Sequence, residues 1–198
     1  DDKTVNLWTI DGQLVDELEG HGDRVWGVTF SPDSQMLASA SWDSTIKLWK
    51  LDGTLLNTLS GHGAGAWSLA FSPDGKKIAF VSNKSGTPRI YVIRIPPPGT
   101  PLKEVQPELI SKFTRGNTAP SWSPDGTKIA YCARIDGVRQ IMLFDFLTGL
   151  EKQLTKGYGN KENPSFAKDS LHLVYNTTDT NACDLYLLNL KSLRPVKL

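Results

Sequence analysis

The sequence is poor in the residues that build metal sites and disulfide frameworks. It contains two cysteines, two methionines and three histidines among 198 residues. Cys132 and Cys183 are far apart in the sequence and cluster with none of the histidines, so we expect no metal site and no cofactor. A domain of this length is stable without a cross-link, and the two thiols are therefore expected to be free and buried.

Long apolar runs and a charge excess are also missing. No stretch of 18 apolar residues occurs, so no membrane span is expected. The formal net charge is +1, which gives no overall attraction to nucleic acid or to an anionic membrane. The first residues have none of the features of a signal peptide. The hydrophobic content of 39% is typical of a folded domain.

Helical periodicity and the common catalytic signatures are absent as well. We find no phosphate-binding loop, no H-E-x-x-H zinc motif and no G-x-S-x-G nucleophile elbow. The sequence therefore predicts an all-β protein that is not an enzyme.

What the sequence does contain is an internal repeat. Residues 2–8 (DKTVNLW) return 41 positions later as residues 43–49 (DSTIKLW). The same offset relates two Gly-His pairs, at 20–21 and 61–62, and relates Trp26 to Trp67. A period near 40 residues with a Gly-His pair and a late tryptophan is typical of a four-stranded propeller blade.

Alternating apolar residues and turn signals divide the repeats into short strands. Residues 1–8 and 14–18 predict two strands, and four further units follow at about 20–60, 61–115, 116–157 and 158–198. The second unit contains a proline cluster that cannot lie inside a sheet. We interpret residues 96–107 as a stiff surface loop and residues 109–114 as the strand that closes this unit.

These motifs resemble two propeller families. Residues 1–73, with two tryptophan-ended strands and two Gly-His pairs, resemble a WD-repeat propeller. From about residue 68 to 198 the units resemble the TolB-type propeller, whose P-x-W-S-P-D-G-x-x-I-A box is matched at 120–130. The resemblances imply one propeller domain over residues 1–198, WD-repeat-like at 1–73 and TolB-like at 74–198. It is expected to have about five four-stranded blades, the first present only as its two outer strands.

The change between the two patterns falls at a turn that both families share, near residues 71–75. We interpret the chain as a recombinant or designed hybrid joined at this turn. The alternative is a natural protein whose repeats diverged unevenly.

The WD-repeat resemblance assigns a structural role to His21, Ser41, Asp43 and Trp49. In that family the histidine, serine and aspartate form a buried hydrogen-bond chain that ends on the indole N–H. The same residue types could form a hydrolase triad, but each stands at its expected place in the repeat. We therefore expect a structural tetrad and no catalytic residue. For His62, whose unit has no aspartate at the corresponding place, we expect a broken network.

One aspartate recurs in each unit next to the first hairpin turn. Residues on separate blades cannot bind one ion together, and an aspartate in S-P-D-G bonds to its own backbone. The interpretation is therefore a turn role for Asp33, Asp74, Asp125 and Asp169.

Three tryptophans and an arginine are candidate binding residues. Trp26 and Trp67 stand near the start of successive inner strands, Trp42 stands in a turn, and Arg24 precedes Trp26 by two positions. Arginine and tryptophan dominate binding hot spots. The alternative is that Trp26 and Trp67 pack between blades. The other basic residues are balanced by acids, so we expect no nucleic-acid partner.

The function that we expect is a non-catalytic scaffold with no native activity, and the alternative is a protein- or peptide-binding module that uses one propeller face. WD-repeat proteins are interaction platforms, and TolB-type proteins bind a lipoprotein in the bacterial envelope. The two families imply cytosol and periplasm respectively, so no compartment follows.

The predicted strands are two short of a closed five-blade ring. The N-terminal pair and the C-terminal pair compete for the same inner strands, which leaves one pair with open edges. We therefore expect strand exchange between chains, which gives a homodimer or a larger ring.

Overall fold

The computed structural model describes residues 2–60, 63–97, 105–179 and 182–198, and within these ranges all regular secondary structure is β. The strands are β1 Val5–Trp8, β2 Leu14–Leu18, β3 Val25–Phe30, β4 Met36–Ser41, β5 Ile46–Lys50, β6 Leu55–Leu59, β7 Ala66–Phe71, β8 Lys77–Ser82, β9 Arg89–Arg94, β10 Glu108–Leu109, β11 Arg115–Trp122, β12 Lys128–Ile135, β13 Val138–Asp145, β14 Leu150–Gln153, β15 Asn160–Phe166, β16 His172–Thr178, β17 Cys183–Asn189 and β18 Pro195–Lys197.

These strands form four complete blades and one two-stranded sheet. Blade 1 is β3–β6, blade 2 is β7–β10, blade 3 is β11–β14 and blade 4 is β15–β18, each an antiparallel meander. Strands β1 and β2 pair only with each other among the described residues, and we call them the half-blade. The expected all-β propeller with an incomplete first blade is confirmed.

Apolar side chains on both faces of the middle strands hold the blades side by side. Ala38 and Leu48 of blade 1 pack against Ile78 and Phe80 of blade 2, and equivalent clusters join blade 2 to blade 3 and blade 3 to blade 4. Because both faces of these strands are buried, their sequences are nearly continuous runs of apolar residues. The half-blade packs on blade 1 through Val5 and Leu18.

The inner strands approach most closely between blades 1 and 2. A Cβ on Gly27 of β3 would lie 2.9 Å from the backbone nitrogen of Ser68 in β7. That distance leaves no room for a side chain, so glycine is required at position 27 for the two inner strands to meet.

A recurring hydrogen-bond pattern closes the turn between the first two strands of blades 1 to 3. In blade 1 the Ser31 hydroxyl donates to Asp33 Oδ1 at 2.5 Å, and the Gln35 N–H donates to the same oxygen at 3.0 Å. Asp74 and Asp125 make the same contacts in blades 2 and 3. In blade 4 Ala167 replaces the serine, and Asp169 accepts from the Leu171 N–H at 2.9 Å and from His172 Nδ1 at 2.6 Å. All four aspartates hold turns.

The four blades differ in what fills one central position of the second strand. Ser39 occupies it in blade 1, whereas Phe80, Tyr131 and Tyr175 occupy it in blades 2 to 4. Phe80 stacks on Tyr91 across the ladder at 5.8 Å between ring centroids, and Tyr175 stacks on Tyr186 at 5.7 Å. The two sequence patterns thus correspond to two packing devices, a hydrogen-bonded serine and an aromatic side chain.

Three sequence-based expectations need correction. The last strand of blade 2 is Glu108–Leu109, not 109–114, because Ile110 and Ser111 leave the ladder and bond to Ile90. The first strand begins at Val5, because Lys3 has a φ of 69° and turns the chain before it. Both cysteines are free, but Cys183 is exposed and only Cys132 is buried.

Two further expectations fall partly or wholly outside the described residues. The proline-rich loop includes residues 98–104, and the described parts on either side of that gap, 96–97 and 105–107, form no strand. The expected broken network of His62 lies outside the described residues.

Candidate functional site

A chain of short hydrogen bonds crosses blade 1 from its turn to its core. His21 Nδ1 lies 2.7 Å from Asp43 Oδ2, and His21 Nε2 lies 2.7 Å from Ser39 Oγ. The Trp49 indole N–H donates to the same Ser39 oxygen at 2.8 Å. The Asp43 carboxylate can only accept, so in the neutral ring Nδ1 carries the proton. Nε2 then accepts from the Ser39 hydroxyl, whose oxygen accepts from the indole.

The environment keeps this histidine neutral. Burial lowers the pKa of His21, and the neighbouring Asp43 carboxylate only partly offsets this effect. Burial raises the pKa of Asp43, but donors outweigh it and hold that pKa below its usual value: the hydroxyl of Thr45, the N–H of Gly22, and His21. A second proton on His21 would face the Ser39 hydroxyl and break the chain of donors.

The serine of this network is Ser39, and the prediction of Ser41 is wrong. The two residues point to the same face of β4, since they are two positions apart. Ser41, however, is the last residue of the strand, where its hydroxyl donates to Asp23 O and accepts from Asp43 N. Ser39 lies two residues further from the turn than Ser41, and the strand register places it beside both His21 and Trp49.

The order Asp43, His21 and Ser39 resembles a hydrolase triad in its distances but not in its setting. Ser39 is fully buried, His21 is 6% exposed, and the Ser39 oxygen already accepts the indole N–H of Trp49. A nucleophile needs an accessible oxygen and a nearby donor pair for the developing oxyanion. The geometry therefore favours the structural role.

An exposed pair of tryptophans lies at the end of blade 1 where β3 begins. Trp26 and Trp42 are 58% and 52% exposed, and their ring centroids are 6.4 Å apart. The backbone N–H of Trp42 donates to the carbonyl oxygen of Arg24 at 3.0 Å, which fixes the turn against the start of β3. A Cβ on Gly65 would lie 3.3 Å from Trp42 Cγ, so this glycine lets the indole rest on the segment before blade 2.

The equivalent tryptophan of blade 2 has a different environment. In blade 1 a β-bulge makes Trp26 the extra residue between Val25 and Gly27, whereas in blade 2 the extra residue is Ser68. The shift of one position places Trp67 opposite Val81, and Trp67 packs against the cluster between blades 2 and 3. The alternative interpretation predicted that both tryptophans pack between blades. It agrees with the structure for Trp67, which packs against the cluster between blades 2 and 3, but not for Trp26, which is exposed.

Two exposed aromatic residues that the sequence analysis missed lie at the same end of the blades. Phe113 and Tyr158 are 83% and 98% exposed, and each lies in the segment before an inner strand, β11 or β15. Glu151 holds the first of these segments, because it accepts from the backbone N–H of Lys112 and Phe113 and from the Tyr131 hydroxyl. The sequence signal that could have identified Phe113 and Tyr158 is their position just before an inner strand, as for Trp26.

The described residues hold no group of three or more His, Cys, Asp or Glu side chains that could bind a metal ion. They also include no helix with the length and hydropathy to cross a membrane.

Comparison with known proteins agrees with the geometry of the blades. The family described as "WD domain, G-beta repeat" matches residues 12–50 and 53–91. A protein TolB homolog from Protochlamydia amoebophila is 64% identical over 74 residues, which are 37% of this chain and 16% of that protein. The solved structure of a putative TolB from Agrobacterium tumefaciens superposes with a TM-score of 0.77 at 21% identity, over 98% of this chain and 68% of that one.

The chain has the fold of a β-propeller. Residues 12–50 and 53–91 match the WD-repeat model, and another comparison finds a 74-residue segment similar to a TolB homolog. The WD-repeat match continues to residue 91, past the turn at 71–75, so blade 2 combines a WD-repeat framework with the aromatic pair of Phe80 and Tyr91.

A yeast relative matches over a shorter stretch. The guanine nucleotide-binding protein subunit beta of Saccharomyces cerevisiae is 50% identical over 39 residues, 19% of this chain and 9% of that protein. The chain thus spans a small part of the curated relatives, and at 21% identity the TolB structure shows the fold alone.

Proposed function

We propose that this WD/TolB-type propeller is a non-catalytic scaffold that binds a protein or peptide segment at the end of the blades bearing Trp26 and Trp42. The observation that carries the proposal is the exposed indole pair. The centroids of its two rings are 6.4 Å apart and Trp42 rests on Gly65, while more than half of each tryptophan remains open to solvent. A rigid aromatic pair loses little conformational entropy on binding, and tryptophan is enriched in hot spots.

The neighbouring groups support the same end of the blades. The carbonyl of Arg24 accepts from the backbone N–H of Trp42, and the exposed Phe113 and Tyr158 precede the inner strands of blades 3 and 4. Aromatic residues and arginine at one end of a scaffold are the composition of a protein-binding surface.

A peptide selection tests the proposal even though the partner is unidentified. A displayed peptide library is selected on the immobilised chain, and the enriched peptides are measured against Trp26→Ala, Trp42→Ala and Trp8→Ala. Trp8 is as exposed as Trp26 but lies at the opposite end of its strand, so it is the matched control. Saturable binding that the first two variants lose and the third retains is the expected result. Peptides that bind all variants equally would refute the assignment.

The absence of catalysis is part of this proposal. The buried Ser39 and His21 give no substrate access, so a broad hydrolase screen should detect no turnover that depends on His21. Turnover abolished by a folded His21→Ala variant would contradict the scaffold role.

Two finer expectations are also proposals. A hybrid origin is supported by the coexistence of WD-repeat matches with a TolB segment at 64% identity. Self-association is supported by the open edge of β1. Light scattering over a tenfold range of concentration tests the latter, and a constant 21.8 kDa monomer would refute it.

A further inference from the structure

A carboxylate in blade 3 holds the segment that leads into β11. Tyr131 and Tyr175 occupy equivalent places in the second strands of blades 3 and 4. In blade 3 the Tyr131 hydroxyl donates to Glu151 Oε2 at 2.5 Å. Glu151 Oε1 also accepts from the backbone N–H groups of Lys112 at 2.6 Å and Phe113 at 3.1 Å. One carboxylate thus satisfies a tyrosine and two backbone donors.

In the described part of blade 4 a proline stands where blade 3 has this carboxylate. Glu151 pairs with Phe144 in the blade 3 ladder. In the blade 4 ladder Leu188 takes the place of Phe144, and it pairs with Pro195. The Tyr175 hydroxyl accordingly makes no hydrogen bond to a described residue, although Tyr175 is only 4% exposed.

The two backbone donors also have counterparts before β15. Each of the two segments follows a residue whose hydroxyl accepts an N–H from the third strand of the preceding blade, Ser111 at 2.9 Å and Thr155 at 2.8 Å. Counted from these residues, Lys156 and Gly157 take the places of the two donors in blade 3. Within the part of the chain that the structure describes, their N–H groups meet no acceptor. Blade 4 therefore keeps the three donors without the carboxylate.

A cleft of about 500 Å³ lies between blades 3 and 4 at this place. Tyr175 and Lys156 line it, and so does Pro195. Three leucines add apolar walls: Leu154, Leu188 and Leu193. A cavity of this size with apolar walls and a few polar groups is typical of a site for a small molecule.

The charge of the cleft favours an anion. Its described lining includes no Asp or Glu side chain and three lysines: Lys152, Lys156 and Lys161. The Lys161 ammonium donates to the backbone carbonyl oxygens of residues 157–159, which fixes the segment before β15. Burial raises the pKa of Tyr175, so its hydroxyl keeps its proton at neutral pH and can donate to an anion.

We propose that the cleft between blades 3 and 4 binds a small organic acid, whose carboxylate takes the place that Glu151 has in blade 3. The ligand carboxylate accepts from the Tyr175 hydroxyl and from the backbone N–H groups of Lys156 and Gly157. Its apolar stem lies against the three leucines. Hydrogen bonds to a charged acceptor are the strong ones. This site goes beyond the proposed function and does not depend on the indole pair.

The test titrates hexanoate into the full, isotope-labelled chain and follows the backbone amide signals of Lys156 and Gly157 by NMR. We expect saturable shifts of both signals, and no shift with the uncharged hexanamide. Tyr175→Phe should weaken binding about tenfold or more, since it removes one charge-assisted donor. Its melting temperature should stay unchanged, because the hydroxyl bonds to no described residue. Tyr186→Phe, on the neighbouring strand, is the matched control and should bind like the wild type.

A second variant fills the cleft from within. Pro195→Glu restores a carboxylate at the place of Glu151, so it should lose hexanoate binding and melt at a higher temperature than Pro195→Gln. Equal hexanoate binding by these two variants, or by the wild type and Tyr175→Phe, would overturn the proposal. So would an absence of saturable shifts. Shifts with a capped Ala-Glu-Ala tripeptide but not with hexanoate would overturn the small-acid assignment in favour of a protein side chain.

Discussion

Ser39→Ala is the substitution for which the structure and the repeat pattern predict different outcomes. The mutation removes the hydroxyl oxygen that contacts both Trp49 Nε1 and His21 Nε2. Both side chains are buried, so water does not replace the lost hydroxyl. An unsatisfied buried polar group costs about 1–3 kcal/mol, so two such groups give a loss of about 2–6 kcal/mol in the free energy of unfolding. For a chain of this size that corresponds to a melting temperature lower by about 4–24 °C.

Ser41→Ala is the matched control on the same strand. The partners of Ser41 are backbone groups of Asp23 and Asp43, and Asp23 lies in an exposed segment where water can replace the hydroxyl. We expect a loss of about 1 kcal/mol. Thermal and urea unfolding, followed by circular dichroism, compare the two variants. A Ser41→Ala loss equal to or larger than that of Ser39→Ala would refute the assignment of Ser39.

The remaining predictions concern pH, packing and thiol reactivity. Burial lowers the pKa of His21 below its usual 6.5, so the unfolded chain binds this proton more readily than the folded chain. The contribution of neutral His21 to stability is therefore full above about pH 6.5 and is lost as pH falls. Urea midpoints should fall more steeply from about pH 7.5 to 5.5 in the wild type than in His21→Gln, and equal slopes would contradict this. Phe71→Ala should cost about 3–5 kcal/mol and its counterpart Phe30→Ala less than about 1 kcal/mol, since only Phe71 is covered; equal losses in urea unfolding would mean that Phe30 is covered in solution. Cys183 should react with a thiol reagent in the folded chain, whereas Cys132, whose pKa burial raises, should react only after unfolding; rapid reaction of both thiols would contradict the described burial.

The repeat of 41 residues predicts the blades because each motif has a local physical cause. The aspartate at 33, 74 and 125 accepts the same turn contacts, and the apolar runs of the second and third strands are buried on both faces. Strand order follows, since short turns join antiparallel neighbours. The repeat does not decide which terminal pair joins the inner strands of blade 4. In the structure the C-terminal pair does, since β17 pairs with β16 and β18 pairs with β17.

The finer details of the site depend on register, which the repeat does not specify. Ser39 and Ser41 share a face, and only the pairing with β5 decides which of them lies beside Trp49. A bulge displaced by one residue separates the exposed Trp26 from the packed Trp67, although both stand at the same place in the repeat. Such bulges depend on the fit between neighbouring blades, here the close approach of Gly27 to Ser68, rather than on local sequence.

The domain division at 73 and 74 and the hybrid origin remain predictions. The structure places no gap at that position, because β7 and β8 form one continuous hairpin across it.

The affinity of one selected peptide for the wild type and for the Trp26→Ala/Trp42→Ala double variant tests the central claim most directly. Calorimetric titration measures it, with the melting temperature of each variant as the check on folding. We predict a loss of affinity of about 30-fold or more, since truncation of a hot-spot tryptophan costs about 2 kcal/mol or more, at a melting temperature within a few degrees of the wild type. An unchanged affinity in the double variant would show that the exposed indole pair is not the binding surface.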